Sequence, residues 1–208
     1  SLCQYLRHRL PMDQLVPLFL FAAVATVTPG GATTLVTASG AHFGFRRSLP
    51  LLLGIAAGLA SMAAAAALGL AAMLLALPLL QHGMKIAGTL YLSWLAWRIA
   101  GNGPPHLSKA IARPTSFIGG VWMLWHNPKG WAMTSGAAVS FATLAESPAR
   151  LAVLLGAVFG LAALCSLVIW CIAGQTLARI FRAAWQWRTL NVLLAILLVL
   201  SIFPMWFP

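Results

Sequence analysis

Acidic residues are almost absent from this chain, with Asp13 and Glu146 the only two in 208 residues. Charged residues make up 7% of the sequence, against about 25% in soluble domains, while hydrophobic residues make up 61%. That polar surface is too small to cover a water-exposed globule, so the composition reads as an integral membrane protein. The shortage of acids excludes more. Two carboxylates far apart in sequence, both near water-facing loops, supply no paired acid–base couple and no Ser/His/acid set, so enzymatic readings lack their groups. Cysteine is scarce as well. Cys3 lies in the N-terminal tail and Cys165 and Cys171 inside an apolar run, which makes neither a disulfide framework nor a metal-ligand spacing. The expectation is a protein that is not an enzyme and holds no metal or cofactor.

Basic residues are present in excess, giving a net charge of +11. In a soluble protein that would point to nucleic acid. Here most of them occupy short loops between apolar runs, where they set orientation and meet anionic lipid. No basic stripe with interleaved aromatics stands outside those runs, so nucleic acid is not an expected partner.

A transmembrane helix needs about 20 mostly apolar residues. Six segments qualify: 15–39, 49–77, 84–100, 117–144, 149–173 and 190–207. The expected fold is an all-α polytopic membrane protein of six helices. The linker at 101–115, rich in Gly and Pro, separates a first three-helix repeat at 14–100 from a second at 116–208. An N-terminal tail, 1–13, precedes them. Met12-Asp13-Gln14 reads as a natural start, and the expectation for residues 1–11 is an upstream extension or a mis-called start; N-terminal sequencing of the native protein tests this. Three spans per half place the second half in the membrane upside down relative to the first, a 3+3 inverted repeat. Gly54 and Gly58 in the second span, and Gly156 and Gly160 in the fifth, form GxxxG pairs at near-equivalent offsets, for close helix approach within or between subunits. The loops after spans one, three and five carry Arg46, Arg47, Arg98, Lys109, Arg113, Arg179, Arg182 and Arg188. The opposite loops carry Arg7, Arg9, Lys85 and Arg150, so the positive-inside rule puts both termini outside the cytoplasm.

Spans one and four each contain a proline-centred break, Thr28-Pro29-Gly30-Gly31 and Asn127-Pro128-Lys129-Gly130. Proline removes a backbone donor and clashes with the preceding turn, so each break frees polar backbone groups. Such groups are tolerated at membrane depth only when buried in protein or lining a cavity. Interrupted segments at matching positions in two halves mark a transporter's binding site. Thr28, Pro29, Gly30, Gly31, Asn127, Pro128 and Lys129 are therefore the expected substrate-binding residues.

Lys129 stands out among them. A lysine at the centre of a membrane helix costs about 2.5–3.5 kcal/mol on insertion scales. With no acid in the apolar segments, its partners reduce to carbonyls freed by Pro128, water, or a substrate carboxylate; snorkelling to the headgroups is the bland alternative. After Pro29, the next helix presents unpaired N–H groups, and Thr33 and Thr34 offer hydroxyls. His126 reads as packing, Trp122, Trp125 and Trp131 as a belt or packing around the break, and Tyr91, Trp94 and Trp97 as one helical contact face.

In their order and spacing, several elements resemble the LysE/RhtB superfamily of amino-acid exporters across nearly the whole length from Met12. They are Thr28-Pro29-Gly30, Gly44-Phe45-Arg46-Arg47, Gly54 and Gly58, Lys85-Ile86-Ala87-Gly88 before Tyr91-Leu92, and Asn127-Pro128-Lys129-Gly130-Trp131. The resemblance implies a secondary transporter in the bacterial inner membrane that exports amino acids or related small metabolites, driven by an ion gradient and often as a homo-oligomer. The sequence departs from that pattern at Gly31 and Ala32, where the family's first motif continues Pro-Asn. It also lacks the intramembrane acid of many relatives, which leaves Lys129, His126 or no tight coupling in place of a carboxylate. Two alternatives follow from these departures: a transport-inactive membrane interaction subunit, and an exporter of a different small anionic solute.

Overall fold

A computed structural model describes residues 12–69, 78–101, 115–181, 183–200 and 202. These residues form helices and connecting turns, and no strand occurs among them. In chain order the helices are α1 (Met12–Val27), α2 (Gly31–Ala67), α3 (Pro78–Ala100), α4 (Phe117–Trp125), α5 (Pro128–Ser140), α6 (Pro148–Ile180) and α7 (Ala184–Leu200), with a 3-10 turn at Ala142–Leu144 between α5 and α6.

Local chemistry sets several of these boundaries. The Ser116 side chain accepts a hydrogen bond from the Gly119 amide at 3.2 Å and opens α4. Ser147 accepts from the Arg150 amide at 3.3 Å, with Pro148 at the first position of α6, where a missing N–H costs nothing. Glu146 and Arg150 form an exposed ion pair at 2.6 Å.

Among the described residues two helices, α2 and α6, are long and apolar enough to cross a membrane by length and composition. α2 departs from the sequence expectation. The loop expected between residues 39 and 49 is reduced to one non-helical residue, Gly44, at φ 76° and ψ 171°. That left-handed conformation favours glycine. The Ser48 hydroxyl donates to the Gly44 carbonyl at 2.9 Å, and Ser39 and Ser48 hydroxyls pair at 2.7 Å across the kink. α6 likewise extends past the expected 173 to Ile180. α3 begins at Pro78 rather than 84, and α7 begins at Ala184 rather than 190. Most of the linker, residues 102–114, and the tail ahead of Met12 lie outside the described residues, as do the side chains of Lys85, Tyr91 and Arg98.

α2 and α6 pack along much of their length and form the scaffold. A Cβ on Gly40 would overlap the Cys171 carbonyl, and one on Gly174 would overlap the Thr37 carbonyl. Both GxxxG pairs serve contacts inside the chain. Gly54 and Gly58 seat α4, with the Phe117 carbonyl against Gly54 and Leu124 against Gly58, while Gly156 and Gly160 lie on Ala60 of α2. Backbones brought this close gain the van der Waals packing that holds helices together where lipid removes the hydrophobic drive. The core between them includes Leu52, Ile55, Met62, Leu155, Phe159 and Leu167, all buried. α3 and α7 join through a smaller cluster of Ala96, Ile99, Leu194 and Ala195.

Candidate functional site

The two proline-centred motifs lie against each other. α1 ends at Val27 and α2 begins at Gly31, while α4 ends at Trp125 and α5 begins at Pro128. Between these ends the Lys129 Nζ donates to the Thr28 carbonyl oxygen at 3.1 Å, across a sequence separation of 101 residues. The lysine's partner is thus a carbonyl from the other motif, and not one freed by Pro128 as its own position suggested.

Each carbonyl at the end of α1 can be followed. Pro29 has no N–H to return to Ala25. The Gly30 amide turns instead to the Thr33 hydroxyl at 2.8 Å, which itself donates to the Gly30 carbonyl at 3.0 Å. The Thr26 carbonyl accepts from the Ser166 hydroxyl at 2.9 Å, and the Val27 carbonyl from the Trp170 indole at 3.2 Å, both donors on α6. Lys129 supplies the third donor, to Thr28. The Thr28 hydroxyl is engaged with its own helix at Val24, 2.6 Å away, so its main chain and not its side chain meets the lysine.

The second motif is closed differently. The Asn127 side chain accepts the Lys129 amide at 3.0 Å and caps α5. The Trp131 indole donates back to the Trp125 carbonyl at 2.8 Å, and the Trp125 indole donates to Ser61 of α2 at 3.1 Å. His126 bonds the Trp122 carbonyl through Nδ1 at 2.9 Å and packs against the Trp122 ring at a tilt of 37°. Trp125 and Trp131 pack around the break, whereas Trp122 is exposed at the protein's edge.

One cavity of about 50 Å³ sits at this junction. Thr28, Gly30, Gly31, Asn127 and Lys129 line its polar end, and Ile55, Leu59, Leu124 and Leu167 its apolar wall. Gly30 leaves room for the lysine, since a Cβ there would stand 3.4 Å from Nζ. Five of the seven expected site residues are therefore on one wall. Pro29 is exposed and off the lining, and Pro128 opens α5 with its side chain outside the described residues. Of the two further hydroxyls, Thr33 lines the cavity but is committed to the cap, and Thr34 is buried elsewhere. His126 is not on the lining. No group of His, Cys, Asp or Glu suited to a metal occurs among the described residues.

Ser166 and Trp170 belong to no motif in the sequence. The available signal was a hydroxyl in the run from Leu161 to Ile172, because a hydroxyl in an apolar helix needs a partner. Removing Ser166 leaves the buried Thr26 carbonyl unsatisfied, which costs about 1–3 kcal/mol, whereas the Trp170 bond to Val27 is exposed and its loss costs less. Ser166→Ala and Trp170→Phe are each expected to lower the melting temperature of detergent-purified protein, with the double variant lower still. Wild-type melting of the double variant would show that these bonds do not hold the end of α1.

An apolar helical chain with two interrupted segments meeting at a lysine-lined cavity has the form of a membrane translocator. The chain belongs to the LysE type translocator family, whose model matches residues 23–201. Relatives named cysteine/O-acetylserine efflux protein, from Escherichia coli (strain K12) and Shigella flexneri, are 30% identical over 186 residues, covering 86% of this chain and 90% of theirs. No solved structure matches.

Proposed function

We propose that this chain is a secondary transporter that exports small amino acids or closely related metabolites across the bacterial inner membrane, with cysteine and O-acetylserine as the first solutes to test. The observation that carries the reading is the Lys129–Thr28 contact at 3.1 Å, which joins the two motifs at one cavity in a chain of translocator family. In this reading Thr28, Gly30, Gly31, Asn127 and Lys129 contact the solute, and Pro29 and Pro128 interrupt the first and fourth membrane spans so that their backbone is available there.

Packing supports a 3+3 inverted repeat. The segment before each proline contacts the long helix of the opposite half through a serine: Trp125 bonds Ser61 of α2, and Thr26 accepts from Ser166 of α6. Trp125 and Thr26 stand at the same distance before Pro128 and Pro29. Crossed contacts of this kind are what two interlocked, oppositely oriented copies of one unit produce. A multi-pass topology follows from this reading, and homo-oligomerisation would use lipid-facing surfaces of the same bundle.

The cavity is about a third of the 150 Å³ that holds a benzene. An amino acid enters only when the lining helices part, as alternating access requires. Overexpression in a bacterial host loaded with cysteine tests the proposal. The expected outcome is a lower intracellular pool, a higher external one, and relief of growth inhibition. Unchanged pools for cysteine, O-acetylserine and a panel of other amino acids would refute export.

A further inference from the structure

We infer that the site takes its solute as a zwitterion: the solute's ammonium replaces the Lys129 ammonium on the Thr28 carbonyl, while Lys129 turns to the solute's carboxylate. This rests on the export reading above. Among the described residues no carboxylate lines the cavity, so an ammonium group entering it finds carbonyl and hydroxyl oxygens as its acceptors. At the end of α1 the Thr26 and Val27 carbonyls are occupied by Ser166 and Trp170. The Ala25 carbonyl loses its helical donor because residue 29 is proline. The Thr28 carbonyl already holds an ammonium, that of Lys129 at 3.1 Å. Ala25, in the last turn of α1, and Thr28, just beyond its end, both line the cavity. They are the oxygens that a second ammonium can use.

The exchange conserves charge and hydrogen bonds. Lys129 gives up a neutral acceptor for an anionic one, a stronger bond. The solute's ammonium fills the place that the lysine left. A carboxylate without an ammonium would draw Lys129 away and leave the Thr28 carbonyl without a donor. An amine without a carboxylate would face Lys129 as a second cation in a confined space. Selection by exclusion thus acts at both ends of the solute.

The full chain in proteoliposomes tests this with two pairs of probes. O-acetyl-L-serine and N-acetyl-L-serine are isomers of equal size that differ in whether the ammonium is free, and L-cysteine and cysteamine differ by the carboxylate. Transport of N-acetylserine and of cysteamine is expected to be at least about tenfold slower than that of the matching zwitterion, the equivalent of one strong polar contact. In Lys129→Met the cysteamine-to-cysteine ratio is expected to rise about tenfold, because the repelling charge is gone. Thermal-shift binding of both probes to the purified variant gives that ratio where flux is too low. Equal transport of the two acetylserines by the wild type would overturn the inference and leave export standing. An unchanged ratio in Lys129→Met would overturn the lysine's part in the exchange. Transport of none of the four probes would remove the export reading for these solutes, and the inference with it.

Discussion

Lys129→Met is expected to lower export about 10- to 100-fold while leaving membrane insertion intact. The lost term is a charge-assisted contact to the solute, worth about 1.5–3 kcal/mol, and each 1.4 kcal/mol is a factor of ten. Stability should move little. Lys129 lies in the first turn of α5 and its bond to the Thr28 carbonyl is an exposed one, so its removal uncovers no buried polar group. Melting temperature and membrane-inserted yield of the variant, measured beside flux, separate lost transport from misfolding. Lys129→Arg keeps the charge but carries a wider planar head into a cavity of about 50 Å³, and should recover only part of the activity. The measurement is efflux normalised to the amount of protein in the membrane. Full flux in Lys129→Met would take the lysine out of the mechanism.

Gly54→Ala and Gly174→Ala are expected to have the largest effects on stability, more than the ~1–3 kcal/mol of ordinary overpacking. The added Cβ would fall on a main-chain carbonyl, Phe117 for Gly54 and Thr37 for Gly174, and a backbone cannot swing aside as a side chain does. α4 would have to lift off α2, or α6 off α2, and the cavity between them would open. Gly156→Ala is milder, because its nearest neighbour, the Ala60 carbonyl, is 3.2 Å away. Gly136→Ala meets nothing within 4 Å and gains helix propensity, so it should be neutral or stabilising by up to about 1 kcal/mol. The yield of monodisperse protein and its melting temperature in detergent rank the four. Equal behaviour of Gly54→Ala and Gly136→Ala would show that the α2–α4 approach is looser than described.

The parts of this arrangement that were legible in advance are those with local causes. α1 stops at Val27 ahead of Pro29 and Pro128 opens α5, positions where the missing donor and the ring's clash one turn back are tolerated. The apolar run at 117–144 matches α4, α5 and the 3-10 turn in its bounds for the same reason. Features without a local cause are not visible in the sequence. The loop expected at 40–48 carries two arginines and looks polar, yet Gly44 alone absorbs the change of direction while the helix continues on both sides.

Composition and local stereochemistry by themselves determined an apolar helical chain with two interrupted segments and one unmatched lysine. Those are properties of single residues and of windows shorter than a membrane span. Tertiary structure alone decided what the lysine meets. Its partner is a main-chain oxygen 101 positions away, and a carbonyl has no side-chain identity to betray it in a sequence. The same holds for Ser166 and Trp170, whose acceptors are main-chain atoms about 140 positions away. Only the close approach of α1, α5 and α6 brings the indole, the hydroxyl and the ammonium to the main-chain oxygens at the end of α1.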